Sequence, residues 1–101
     1  MKKSFKSHFR FNNKIKHPAY VYSEFKNEYK YIGLTHSPIT TKIGNIKLFK
    51  NPNPADTRDS YIRPFSTHDK KINFNSNLKK GYKLNKKDLE KIKSVKKKYI
   101  K

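Results

Sequence analysis

From Ala19 to Phe25 the chain sets Ala19, Val21 and Phe25 against Tyr20, Tyr22 and Glu24, the period-two pattern of a half-buried strand rich in aromatic and β-branched residues. Tyr29 to Leu34 repeats that character, and the short polar Lys26-Asn27-Glu28 between the two runs predicts a hairpin. Closing the hairpin brings the chain near Pro18 beside the chain near Thr35. His17, Thr35, His36 and Ser37 are therefore expected at one end of a single hairpin.

The remaining pattern is of short strands and one helix. Asn45 to Phe49 alternates with Ile46 and Leu48 on one face, Ser60 to Pro64 reads as a further short strand, and Ile72 and Phe74 suggest an edge strand before a turn at Asn75 to Asn77. Between them, Lys50 to Ser60 carries two prolines and four Asn or Asp residues, which favour turns over ladder pairing and predict a long loop. Near the end, Leu89, Ile92, Val95 and Tyr99 recur at spacings of three or four, opposite a face that is almost all lysine. Asn85 is suited to the N-cap, Asp88 to a capping box, and Leu84 to a hydrophobic staple with Leu89, so a helix is expected over 86–99. Residues 1–15 are basic with interspersed phenylalanines. They are read as a partly ordered arm ahead of one domain over 16–101, although Phe9, Phe11 and Ile15 also suit a first strand. About five short strands and a terminal amphipathic helix give a mainly β (α+β) chain, a small antiparallel barrel or sandwich capped by the helix.

Composition changes this picture in two ways. Only 33% of the 101 residues are hydrophobic, yet 14% are aromatic, which a disordered chain would lack; a folded domain with a small core follows. The charge is extreme, with 26 Lys and Arg against 7 Asp and Glu for a formal +19, spread along the chain. Such a field attracts polyanions, and nucleic acid is the expected partner. Lysine outnumbers arginine, which suits phosphate tracking more than base reading. No cysteine is present, so disulfides, thiolate metal sites and a Cys nucleophile are excluded, and the histidines show no ligand spacing, so neither metal nor cofactor is expected. With no apolar run near the ~20 residues of a membrane span, a soluble cytoplasmic protein is expected.

The order of the pieces resembles the PemK/MazF toxin family. Lys16-His17-Pro18-Ala19-Tyr20-Val21 answers its basic-residue-and-proline strand opening, and Ile32-Gly33-Leu34-Thr35-His36-Ser37 answers the end of its second strand. Ser60-Tyr61-Ile62 stands for its Ser-hydrophobic-Val strand, and Leu78-Lys79-Lys80-Gly81-Tyr82-Lys83-Leu84-Asn85 with Lys86-Lys87-Asp88-Leu89 for its tail. The resemblance spans roughly residues 15 to 100. It implies an SH3-like barrel, commonly a homodimer, that cleaves single-stranded RNA without a metal and is restrained by an acidic antitoxin. Two features depart from the family. His17 stands where it commonly has Arg, and its long first hairpin is largely missing.

Metal-free RNA cleavage requires a base for the ribose 2′-hydroxyl, an acid for the leaving oxygen and a donor for the phosphorane charge. His17 suits base or acid, Thr35, with Ser37 as a second candidate, a donor, and Arg63 or Arg58 the charge, with Arg63 taken as the catalytic choice, since arginine matches phosphate bidentately. Lys16, His36, Ser37, Arg58, Lys79 and Lys80 are expected to contact RNA, which is favoured over DNA. An inactive nucleic-acid-binding accessory of a phage or mobile element, and a structural component of a large nucleoprotein assembly, are the competing readings.

Overall fold

The computed structural model describes residues 5–100. Its central element is the expected hairpin, β2 (His17–Phe25) against β3 (Glu28–Thr35), antiparallel with Ala19 opposite Gly33 and Val21 opposite Tyr31. The register slips by one residue between Val21 and Ser23. Such a bulge bends the strand and adds twist. The turn is tighter than the sequence indicated: Lys26 and Asn27 alone join the strands, and Lys26 takes φ 55° without being glycine.

Around the hairpin lie β1 (His8–Asn12), β6 (Ile46–Lys47), β7 (Tyr61–Ile62), β8 (Thr67–Lys70) and β9 (Phe74–Leu78). They form one antiparallel sheet in the order β6-β7-β3-β2-β1-β9, with β8 pairing the first half of β3 and β7 its end. A separate two-residue pair, β4 (Ile39–Thr40) with β5 (Ile43–Gly44), turns through Thr41 and Lys42, both at positive φ. A 3₁₀ turn at Lys86–Asp88 leads into the helix α1 (Leu89–Lys96). The result is a small α+β protein of mostly antiparallel strands with one C-terminal helix.

Both faces of the hairpin are covered, which explains why Tyr31-Ile32-Gly33-Leu34 is an unbroken buried run. On one face Phe9, Ile32, Leu34, Leu48 and Ile62 pack with Ile92 and Val95 of α1. On the other, Ala19, Val21 and Tyr31 pack with Phe74. Truncating Ile32, fully buried in the first cluster, to Ala would cost about 2–5 kcal/mol.

Several expectations are corrected. Residues 8–12 are no loose arm: β1 pairs with both β2 and β9, because Phe9 lies opposite Tyr20 and is drawn into the larger cluster. Nine strands, against about five expected, occur among the described residues, since two-residue ladders such as β4 and β5 leave too little alternation to read. Asn75 to Asn77 lie within β9 rather than in a turn, and Ile72, in a 3₁₀ turn at Lys71–Asn73, is 84% exposed. The α-helix is shorter than 86–99. Asn85 does cap, its side chain accepting from the Lys87 N–H, but Asp88 closes no capping box. Its fully buried carboxylate accepts instead from the backbone N–H groups of Phe49 (2.7 Å) and Lys50 (3.2 Å) and from Lys91 Nζ (3.2 Å), tying the long loop to the helix. Leu89 is largely exposed.

Candidate RNA site at the open end of the hairpin

Antiparallel pairing fixes what meets at the open end. Extending the Ala19–Gly33 register by two residues sets His17 level with Thr35, and period two gives them the same face as Gly33. On that face is a cavity of about 280 Å³ lined by Ile15, His17, Tyr31, Gly33, Leu34, Thr35, Thr40, Arg63, Phe65 and Thr67. His17, Thr35 and Arg63, singled out from the sequence, share this wall.

Arg63 is the most firmly held of the three. Its backbone N–H donates to the Gly33 carbonyl (3.0 Å), and its guanidinium carbon lies 4.8 Å from the Phe65 ring centroid. Its Nη1 donates to Asn45 Oδ1 (2.7 Å). A Cβ at Gly33 would come within 3.3 Å of Arg63 Cγ, so glycine there lets the arginine stem lie against the strand. Asn45 is itself braced, its N–H donating to Pro38 O (2.8 Å) and its amide nitrogen to Ser37 O (3.0 Å) and Thr40 Oγ1 (2.8 Å). The arginine is thus fixed by an uncharged oxygen, and its positive charge is not cancelled by that partner.

Thr35 Oγ1 accepts the Ser37 N–H (3.2 Å), which directs the hydroxyl's own proton elsewhere. His17 opens β2 and is exposed. Tyr31 has its pKa raised by burial and then by the Asp69 charge, so at neutral pH it remains a hydroxyl and not a phenolate.

The other expected contacts divide into three positions. Lys16 is exposed in the turn before β2, held at φ 60° with its N–H on the Asn12 carbonyl. His36 and Ser37 follow Thr35 without joining the main cavity. His36 lines a smaller cleft of about 40 Å³ with His17, Pro18, Leu34, Thr35, Asn51, Asp56, Ser60 and Tyr82. One ring nitrogen of His36 is 2.9 Å from the Asp59 carbonyl and the other 3.3 Å from Asp56 Oδ2. Arg58 meets the same carboxylate through Nε (3.0 Å) and Nη2 (2.9 Å). Those Arg58 hydrogen bonds, with lesser help from His36, hold the Asp56 pKa down to about 2. Lys79 and Lys80 line a separate groove of about 420 Å³ together with Ser7, His8, Phe9, Tyr20, Leu78, Tyr82, Lys83 and Leu84.

Asn45, Gly33 and Phe65, which fix Arg63, carry no pattern that marks them in the sequence. Asn45 reads only as the first residue of the short Asn45–Phe49 strand. No family model matches the chain, and no curated protein or solved structure is found to match it.

Proposed function

We propose that this is an RNA-binding protein of the PemK/MazF kind, an SH3-like barrel that cuts single-stranded RNA by attack of the ribose 2′-hydroxyl and requires no metal. The observation that carries the reading is the shared cavity wall of His17, Thr35 and Arg63. A chain at +19 supplies the field that brings a polyanion to it.

In this mechanism the scissile phosphate enters the cavity with Arg63 donating to its non-bridging oxygens and the Thr35 hydroxyl adding a further donor. His17 takes the 2′-hydroxyl proton as the 2′-oxygen attacks phosphorus. The bond from phosphorus to the 5′-oxygen then breaks, and that oxygen receives from His17 the proton taken from the 2′-hydroxyl. The products are a 2′,3′-cyclic phosphate and a 5′-hydroxyl. Arg63 meets the charge that builds on the phosphorane, where a pre-placed donor stabilises the transition state most. An acidic protein that covers the cavity would restrain the enzyme, and a homodimer is the assembly the resemblance implies.

One observation favours a second reading, binding without cleavage. Among the described residues that line the cavity His17 is the only histidine, so one group must serve as base and then as acid. Incubation of purified protein with a mixed set of single-stranded RNAs in EDTA separates the two. Cleavage that ends in cyclic phosphate, lost about a hundredfold or more in His17→Ala and Arg63→Ala, is the expected result. Intact RNA with salt-dependent binding unaffected by His17→Ala would leave the binding reading in its place.

A further inference from the structure

The main cavity, on the Gly33 face of the hairpin, and the lysine groove, on the face that carries Phe9 and Tyr20, each share lining residues with the small cleft. The cavity and the cleft share His17, Leu34 and Thr35, while the cleft and the groove share Tyr82. We infer that one nucleic-acid strand seated at the His17–Thr35–Arg63 cavity continues past His36 and over Tyr82 into the groove formed by Lys79, Lys80 and Lys83. The inference rests on the reading of the cavity as an RNA site and assigns the rest of the strand's path.

Charge and shape both point this way. Residues 79–101 hold eleven lysines against two acidic residues, a net +9 of the chain's +19. Both acids are engaged locally, Asp88 with Lys91 and Glu90 with Lys93. Among the described residues, no carboxylate lies within ion-pair distance of Lys79, Lys80 or Lys83. The groove floor is aromatic: the Tyr82 ring lies 5.6 Å from Phe9, which lies 5.1 Å from Tyr20. Lys79 Nζ stands 6.0 Å from the Tyr82 centroid and 5.5 Å from that of Phe11. A half-buried tyrosine beside unpaired lysines offers a stacking face and phosphate contacts together, which suits a single strand with unstacked bases. An acidic peptide would satisfy the lysines and leave the ring unused. The carboxylate on the way, Asp56, is already held by Arg58 and His36, so it opposes a passing phosphate less than a free acid would.

Binding of oligothymidylates, which lack the 2′-hydroxyl and cannot be cut by the proposed route, tests the path separately from cleavage. Fluorescence anisotropy at several salt concentrations would compare a trinucleotide with a decanucleotide. The wild-type chain is expected to bind the longer probe at least tenfold more tightly. Lys80→Gln/Lys83→Gln, at two exposed positions, is expected to remove most of that gain, lower the salt slope for the decanucleotide by about 1.4 (~0.7 per lost phosphate contact), and leave the trinucleotide unchanged. Lys93→Gln/Lys97→Gln removes the same charge from α1 and its C-cap and should leave the length dependence intact. The path is overturned if both double variants reduce the gain equally, if neither does, or if polyglutamate of equal charge displaces the decanucleotide as well as a second decanucleotide. Intact RNA in the EDTA assay, with the length dependence present, would overturn the nuclease and leave the path standing.

Discussion

At the tip of the β2–β3 hairpin both of the hairpin's own acidic side chains have a basic one against them, Glu24 with Lys71 Nζ at 2.6 Å and Glu28 with His68. At the open end the order is reversed: Arg63 is held by the amide oxygen of Asn45, and no carboxylate meets it within ion-pair distance among the described residues. Both ends use hydrogen bonds to fix long side chains. At the tip opposite charges also cancel, while the open end keeps an immobilised cation beside a cavity. The same strands therefore carry a satisfied end, which holds the register, and an unsatisfied end, which is fit for an anion.

Putting a negative charge at the open end should erase that distinction. Asn45→Asp keeps the acceptor for Arg63 but makes it anionic, and RNA affinity is expected to fall about tenfold with the salt slope reduced by ~0.7, read by anisotropy. Stability should fall, because aspartate lacks the amide donors that bond the Ser37 carbonyl and Thr40 Oγ1, and the charge-assisted pair with Arg63 offsets only part of that loss. Unchanged affinity would show that the cancelled charge was not the one RNA uses.

A smaller effect is expected where charge is cancelled next to the site. Arg58 holds Asp56 at a pKa of about 2, below the usual 3.8, so the pair contributes in full above about pH 4 and loses its contribution as pH falls through 2. The melting temperature of the wild type should exceed that of Asp56→Asn at neutral pH, and the difference should close between pH 4 and pH 2. The smallest effect belongs to the tip. Glu24→Gln breaks a partly exposed pair whose worth is below about 1 kcal/mol, and it should leave RNA binding untouched.

The parts of this arrangement that depend on local alternation were open to reading from residues alone. Period two in Ala19 to Leu34 located the hairpin, and the hairpin by itself brought His17 level with Thr35. Arg63 was singled out only because arginine matches phosphate bidentately, and no pattern in the sequence placed it beside His17 and Thr35. What depends on distant pairing was not readable. Whether Phe9 and Phe11 belonged to a strand or to an arm was undecided, because what settles it is pairing outside the segment, with β2 and, more than sixty residues away, with β9. Asp88 fitted a capping pattern but serves the backbone of Phe49 and Lys50, nearly forty residues earlier, an acceptor role that helix periodicity does not encode. Asn45 was hidden for another reason, since its value lies in four bonds, three to the loop at Ser37, Pro38 and Thr40 and one from Arg63, that no periodic pattern encodes. Tyr82 was legible as part of a tail but not as a wall common to two depressions.

The central claim, that the open end gathers three side chains into one phosphate site, is tested most directly by NMR titration of labelled protein with uridine 3′-monophosphate, a ligand too small to fill the lysine groove as well. The account predicts that the His17 imidazole, the Thr35 methyl and the Arg63 Nε–H signals shift along one saturating curve, with Lys80 and Lys83 unmoved. Shifts confined to the lysines of residues 79–98, or signals of the three groups that titrate with unrelated midpoints, would contradict it.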